Sequence, residues 1–232
     1  MPLFYQPNVT SGEHFLDGEE SRHCVKVLRH SNGDAIEIID GDGSKYTAVI
    51  TNANHKKCEF NITEAIKKQH PPHYIHLAIS PTKNMDRMEW LIEKIVEIGV
   101  QEVSFILCKN SERRVLKIDR LIKKAISAMK QSGQFYLPKI HELNSFDKFI
   151  SDSVQEEKFI AYVDKSNQSF LHKAASAKSN YCILIGPEGD FTKEELQAAF
   201  DHQFNMVSLG PSTLRTETAG LAACHTLNLL NW

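Results

Sequence analysis

Hydrophobic and polar residues alternate along the first 68 residues in a pattern that predicts short β-strands. The alternation is clearest at 35–40 and 45–50, and the glycines between them, Gly41 and Gly43, favour a hairpin turn. Residues 58–66 predict a further strand. Because the segment that follows is charged and broken by two prolines, we expect a small β-rich domain over residues 1–70.

Residues 73–232 show a different pattern, in which apolar runs alternate with helical spacing. Strands are predicted at 74–80, 102–107, 158–164, 181–186 and 205–210. Helices are predicted over 84–99, 116–129 and 216–230, and the capping box from Thr192 to Glu195 opens another. Alternating strands and helices predict an α/β domain with a mostly parallel sheet.

Composition narrows the class of protein. The chain has 232 residues, of which 41% are hydrophobic and 24% charged, as in ordinary globular domains. It shows neither an apolar run of membrane-spanning length nor a secretory leader, and its five cysteines are scattered. We therefore expect a cytoplasmic protein with reduced thiols, no membrane segment and no metal. His70, His73 and His76 favour a polar linker over a metal site.

Charge is unevenly distributed, although the formal net charge is only −2. Eight basic and two acidic side chains lie between Lys109 and Lys130. Within the predicted helix, a shared outer face is expected for Lys117, Arg120, Lys123 and Lys124. This basic face favours a polyanion as the partner and weakens the case for an enzyme that acts on a small molecule.

Two segments, 183–192 and 208–220, have the pattern of a ligand-binding loop. Each is an apolar strand that stops at Gly-Pro, turns tightly and enters a helix. Ligands of α/β sheets sit at the carboxyl ends of strands, and glycine lets the backbone approach them closely. Neither segment has a dinucleotide or P-loop motif. One Gly-Pro turn would be unremarkable, whereas two, the second followed by Arg-Thr-Glu-Thr, favour a nucleotide-like ligand.

The same segments carry a resemblance to a known family. GPEGDFTKEE (186–195) and LGPSTLRTETAGLAA (209–223) resemble the two signature segments of the RsmE-type 16S ribosomal RNA uridine-N3-methyltransferases, which belong to the SPOUT, or trefoil-knot, superfamily. HCVKVLRHSNGD (23–34) resembles the PUA-like RNA-binding domain of that family, and residues 93–100 resemble its first catalytic-domain helix. The resemblance covers nearly the whole chain.

The resemblance implies a fold, a cofactor and partners. It implies a PUA-like RNA-binding domain over 1–70, a knotted SPOUT methyltransferase domain over 73–232, S-adenosylmethionine as cofactor, a homodimer, and 16S ribosomal RNA of the small subunit as substrate. The implied cofactor-binding residues are Leu184, Ile185, Gly186, Pro187, Glu188, Gly189, Leu209, Gly210, Leu214, Arg215, Thr218 and Ala219.

Uridine N3 becomes a nucleophile when it loses its proton, so a cation beside O2 or O4 would assist the reaction. Arg215 is the candidate, and it could instead pair with Glu217 or an RNA phosphate. Glu217 could be a general base or could orient Arg215. The candidate RNA-binding residues are Arg22, Lys26, Arg29, Lys83, Arg113 and Arg114.

Two departures from the family pattern leave alternatives open. Asp190 replaces a glycine of the usual GPEGG loop, and Lys130 and Gln134 stand where the family often has Glu and Arg. A SPOUT enzyme acting on another RNA, such as transfer RNA, and a non-catalytic RNA-binding adaptor are the alternative functions. Intact LGPSTLRTETA counts against the adaptor.

Overall fold

The computed structural model describes residues 1–163 and 169–232, which divide into two compact units. The N-terminal unit comprises residues 1–70 and 126–137, and the C-terminal unit comprises residues 71–125 and 138–232. The segment 126–137 therefore packs with the first unit, which a contiguous boundary near residue 70 does not anticipate. Asp164, the last residue of one predicted strand, lies outside the described residues.

The N-terminal unit is built on a four-stranded sheet in the order β1-β2-β3-β4. The strands are β1 (Leu3–Tyr5), β2 (Ala35–Ile39), β3 (Ser44–Asn52) and β4 (Glu59–Lys67), with β1 parallel to β2 and the other pairs antiparallel. Alternate residues of β3 are buried, as the sequence pattern predicts. Gly41 and Gly43 have φ angles of +77° and +96° at the turn, where glycine is favoured.

The same unit contains a helical segment that the β-only prediction missed. Helix α1 (Gly18–Arg22) continues directly into a π-helical turn, His23–Val27. Asp17 caps α1, because its side chain accepts a hydrogen bond from Glu20 N at 2.8 Å. Only Cys24 is fully buried in the π-helical turn, so the segment has too few inward apolar residues to show a helical period.

The C-terminal unit contains a six-stranded sheet in the order β10-β8-β9-β5-β6-β7. Its strands are β5 (Tyr74–Ile79), β6 (Glu102–Leu107), β7 (Lys139–Ser145), β8 (Glu157–Ala161), β9 (Asn180–Ile185) and β10 (Asn205–Val207). Every pair is parallel, which confirms the predicted sheet type. Strand β7 was not predicted, because none of its residues is fully buried. The trefoil knot stays a prediction of the resemblance.

The remaining α-helices of the described chain are α2 (Met85–Ile98), α3 (Ile118–Ser132), α4 (Phe146–Asp152), α5 (Leu171–Ala174), α6 (Lys193–Asp201) and α7 (Thr216–Leu229). Asn84 caps α2, and Gly99 ends it in a left-handed conformation. The capping box of α6 is present as predicted. Gly220 of α7 packs closely against β5 and α2, since a Cβ atom there would lie 3.1 Å from Ile79 and 3.3 Å from Leu91. Helices α4 and α5 are short and were missed.

Two of the four cations expected on the basic face of α3 form ion pairs within the C-terminal unit. Arg120 forms ion pairs with Glu89 and with Asp86 of α2. Lys124 Nζ lies 3.1 Å from Glu93 Oε2, also on α2. Arg120 and Lys124 are therefore ion-paired side chains, because α2 supplies acidic partners that are remote in sequence. Within the described residues, no helix is long and apolar enough to cross a bilayer.

Candidate active site

A cavity of about 950 Å³ opens at the carboxyl ends of the parallel strands in the C-terminal unit. It is lined by residues 161–163, Phe170, 185–190 and 208–216, together with Arg87 of α2 and Ala219 of α7. Its size lies within the range of about 300–1,000 Å³ that is typical of small-molecule and cofactor sites. The two Gly-Pro segments of the sequence therefore meet at one site, as predicted from their position after strands.

The first of these segments, the 186–190 loop, is held by two neighbouring loops. Asn110 Nδ2 donates to the carbonyls of Gly189 and Asp190 at 3.1 and 3.0 Å. Lys83 N donates to Glu188 Oε1 at 3.3 Å. A Cβ atom on Gly186 would lie 3.0 Å from the Phe191 ring, so only glycine fits this packing without a shift of neighbours. The loop is thus fixed with its backbone against the cavity.

The structure accounts for Asp190, which replaces a glycine of the usual GPEGG loop. Its φ angle is +58°, a conformation that glycine adopts easily and that aspartate tolerates better than most residues. Its carboxylate accepts hydrogen bonds from Phe191 N at 2.9 Å and Val163 N at 3.4 Å. Burial raises the pKa of this carboxyl group above its usual value, and the two backbone donors partly oppose that rise. Asp190 therefore preserves the turn and adds an ionisable group to the cavity wall.

The second segment, the 208–215 loop, enters α7 through Arg215. Gly210 has φ +139°, and no atom lies within 4 Å of where its Cβ would be. Ser208 Oγ donates to Gly210 O at 3.1 Å, which stabilises the turn. Thr216 Oγ1, in the first turn of α7, donates to Gly186 O at 3.2 Å. That bond joins the two glycine loops directly. Arg215 is exposed at the cavity wall.

Glu217 and Arg87 form a pair that the sequence did not reveal. Arg87 Nε lies 3.7 Å from Glu217 Oε1, and the Glu217 side chain is only 9% exposed. Glu217 Oε2 is buried and has no hydrogen-bond partner among the described residues. The expected partner of Glu217 was Arg215, and the structure instead gives it Arg87. The sequence could have suggested Arg87 through its position alone, because Arg87 lies in the first turn of the helix that follows β5.

Ten of the twelve predicted cofactor-binding residues line the cavity, and two do not. Leu184 is fully buried in the core between sheet and helices, where it packs with residues such as Ala78 and Ile106. Thr218 is exposed on α7 and is not part of the cavity wall. Sequence reasoning also missed Tyr162, Val163 and Phe170, since the segment after β8 carries no recognisable motif.

The predicted RNA-binding residues fall into two groups. Arg22, Lys26 and Arg29 are exposed in the N-terminal unit, on and just after the α1 and π-helical segment. Lys83 and Arg114 are exposed in the C-terminal unit, where Lys83 Nζ lies 3.0 Å from Glu112.

Arg113, the sixth predicted RNA-binding residue, is hydrogen-bonded to backbone carbonyls. Its guanidinium donates to Thr82 O at 3.1 Å and also to Lys83 O. It thereby holds the loop between β5 and α2.

The cavity suits an extended, partly cationic ligand with a flat aromatic part. Leu209 and Leu214 offer apolar surface, the two loops offer backbone groups, and Glu188 and Asp190 offer carboxylates. In the described parts of the chain, no group of three or more His, Cys, Asp or Glu residues could hold a metal ion.

Comparisons with known proteins agree with this geometry. Residues 69–228 match the family model of the RNA methyltransferase domain, and residues 16–63 match that of the RNA methyltransferase PUA domain. The ribosomal RNA small subunit methyltransferase E of Buchnera aphidicola from Acyrthosiphon pisum is 30% identical, with 98% of this chain and 92% of that protein covered.

Two solved structures are similar over almost the whole chain. A probable rRNA-methyltransferase from Porphyromonas gingivalis is 42% identical with a TM-score of 0.92, and the match covers 100% of this chain and 98% of that one. A ribosomal RNA small subunit methyltransferase E from Neisseria gonorrhoeae, bound to S-adenosyl methionine, is 30% identical with a TM-score of 0.86, covering 99% and 98% of the two chains.

Proposed function

We propose that this chain, which belongs to the RsmE-type RNA methyltransferase family, transfers a methyl group from S-adenosylmethionine to N3 of a uridine in small-subunit ribosomal RNA. The observation that supports this most directly is the meeting of the two glycine loops at one cavity, where Thr216 of α7 bonds to Gly186. A relative of the same fold binds S-adenosyl methionine.

The residues of the cavity fit that cofactor. Leu209 and Leu214 would contact an adenine ring, and the backbone of the 186–190 loop would read its edge. Asp190 and Glu188 place carboxylates where a sulfonium or ammonium group is favoured. When bound, S-adenosylmethionine supplies an electrophilic methyl group, and the electron pair of the broken carbon–sulfur bond stays on sulfur.

The protein's task at the target base is to favour loss of the N3 proton and to hold the base in line. Orientation of this kind can lower a barrier by about 7–11 kcal/mol in the best cases. Arg215 is exposed at the cavity wall, which suits contact with a phosphate next to the target nucleotide. An unpaired uridine is the cheapest to extrude, so we expect a target outside a regular duplex.

RNA binding would use the exposed cations of both units. Arg22, Lys26 and Arg29 of the N-terminal unit would contact phosphates, as would Lys83 and Arg114 of the C-terminal unit. Affinity should then fall steeply with salt, and a flat salt response would contradict phosphate binding. The family resemblance further leads us to expect a cytoplasmic homodimer with a knotted C-terminal domain.

Methyl transfer to small ribosomal subunits that lack their native modifications tests the function. The protein is given labelled S-adenosylmethionine, and the RNA is then digested and its nucleosides identified. We expect labelled 3-methyluridine at one site. Labelling of transfer RNA instead would favour the alternative substrate. Cofactor binding without any labelled RNA would contradict the ribosomal substrate, and loss of both would favour the non-catalytic adaptor.

A further inference from the structure

Arg87 is the cation at the cavity wall whose position is most strongly fixed by the rest of the fold. It lies in the first turn of α2, directly after the loop of residues 80–84. Within that loop, Thr82 Oγ1 donates to Asn84 O at 2.8 Å. From outside it, Arg113 donates to Thr82 O, and Glu188 accepts from Lys83 N. The start of α2 is therefore tied to the neighbouring loops on two sides.

Glu217 fixes the guanidinium itself. Its carboxylate is 3.7 Å from Arg87 Nε and lies in the first turn of α7, where the helix dipole favours a negative charge. The ion pair with Glu217 is made by Nε, which leaves the two terminal Nη groups of Arg87 available to hydrogen-bond another anion. The Arg87 side chain is 38% exposed, so a ligand in the cavity can reach it. Glu217 itself does not line the cavity, and its second oxygen is buried, so a general-base role does not suit it.

From this geometry we propose that Arg87 binds the uracil oxygen on which negative charge develops, and that Glu217 is its positioning residue. The proposal rests on the proposed methylation of uridine N3. Loss of the N3 proton to solvent leaves a charge shared among N3, O2 and O4, and a pre-positioned cation stabilises that charge without reorganising. This assigns to Arg87 the role that the sequence offered to Arg215, which is exposed and therefore less constrained.

The test compares Arg87→Ala with the matched control Lys94→Ala. Lys94 lies on the same helix, is similarly exposed at 31%, and is ion-paired with Glu93 and Glu97, but it is not in the cavity wall. We expect Arg87→Ala to lower kcat by at least about 100-fold, the size seen when an oxyanion donor is removed. Arg87→Lys and added guanidinium should each restore part of the rate, and Lys94→Ala should stay near wild type.

Binding measurements separate this role from others. Calorimetric affinity for S-adenosylmethionine should change less than about twofold in Arg87→Ala, within ordinary independence of two subsites. A large loss of cofactor affinity with kcat intact at saturation would mean that Arg87 binds the cofactor's carboxylate, and the proposal would be wrong. For comparison, Arg215→Ala should weaken RNA binding and its salt dependence more than Arg87→Ala does.

A spectroscopic measurement observes the charge directly. RNA with 5-fluorouridine at the methylated position, bound to the enzyme and S-adenosylhomocysteine, reports N3 ionisation by fluorine NMR. Wild type should lower the pH of ionisation relative to free RNA, Arg87→Ala should abolish that shift, and Glu217→Gln should reduce it. An equal shift in wild type and Arg87→Ala would refute the proposal. Failure of wild type to form 3-methyluridine would instead refute the proposed function.

Discussion

The two ends of the parallel sheet both carry ionisable side chains, but they use them in opposite ways. At the amino end, His76, Glu102 and His141 belong to one hydrogen-bonded network. Gln155 Nε2 donates to His76 Nδ1 at 3.1 Å, so the neutral ring donates from Nε2 to Ser104 Oγ at 2.8 Å. The Glu102 oxygens accept from Tyr74 and His141 at 2.8 and 2.6 Å.

At the carboxyl end, the polar groups are held in place, but some of their hydrogen-bonding atoms remain available to a ligand. Arg87 makes one long ion pair, Arg215 is exposed, and the loops turn toward an open cavity. Hydrogen bonds within the chain fix these loops, partly through the Glu188 and Asp190 side chains, and the Arg87 and Arg215 side chains line the cavity. The comparison teaches that a cluster of titratable residues marks a functional site only where some of its hydrogen-bond donors and acceptors have no partner within the chain.

The largest effect expected to sharpen this comparison is a pH dependence of the free energy of unfolding, caused by His76 at the amino end of the sheet. Burial lowers the pKa of His76 from 6.5 to about 4. Between these values the unfolded chain binds a proton that the folded chain does not. The free energy of unfolding is therefore unaffected by protonation of His76 above pH 6.5. It falls as the pH is lowered toward 4, by about 3 kcal/mol for a shift of this size. Glu102, whose pKa is lowered, acts in the same direction at lower pH.

Urea unfolding of wild type and His76→Gln between pH 7 and 4 measures this effect. The variant should lose most of the slope between pH 6.5 and 4 while its cofactor affinity stays unchanged. A parallel pH slope in both proteins would show that His76 does not titrate as its burial implies. A large loss of cofactor affinity in the variant would break the distinction between the two ends of the sheet.

The next effect is expected at the carboxyl end, from Gly210→Val. At φ +139° a β-branched residue is strained, so the loop should relax away from the observed conformation. Binding must then restore a strained backbone, and we expect cofactor affinity to fall about 10- to 100-fold. Calorimetry with S-adenosylmethionine measures the change.

Gly33→Val is the matched control for this experiment. Gly33 also has a positive φ, +91°, and also has no atom within 4 Å of its would-be Cβ, but it lies in the N-terminal unit. The Gly33→Val variant should have a lower free energy of unfolding than wild type and an unchanged affinity for S-adenosylmethionine. Equal cofactor affinity in Gly210→Val and wild type would exclude the 208–215 loop from the cofactor site.

The smallest expected effect concerns Asp190. Because burial raises its pKa, this carboxyl group gains its charge at a higher pH than an exposed aspartate. Affinity for the cationic cofactor should therefore rise as pH increases through that pKa, by only a few-fold because the site is open to solvent. Asp190→Asn should flatten the profile, whereas Asp201→Asn on α6 should not. A wild-type profile that is already flat would place the sulfonium away from Asp190.

The sequence by itself determined most of the strands, several helix ends and the site loops, because short-range patterns set them. Strand alternation, the caps at Asn84 and Thr192, and the stop at Gly99 act over a few residues, so they can be read directly. The two Gly-Pro segments fall at strand ends, which is why ten of the twelve predicted cofactor-binding residues line one cavity. Leu184 was assigned to the site by resemblance, although its place inside a buried strand belongs to the core.

Only the tertiary structure decided which residues became partners. Arg87 and Glu217 are 130 positions apart in the sequence, and the pairing of α3 cations with α2 carboxylates depends on how two helices pack. Such contacts arise from the order of strands in the sheet, which no local pattern encodes. The sequence therefore placed the loops, whereas the packing of helices and strands decided which charges were neutralised and which remained available for chemistry.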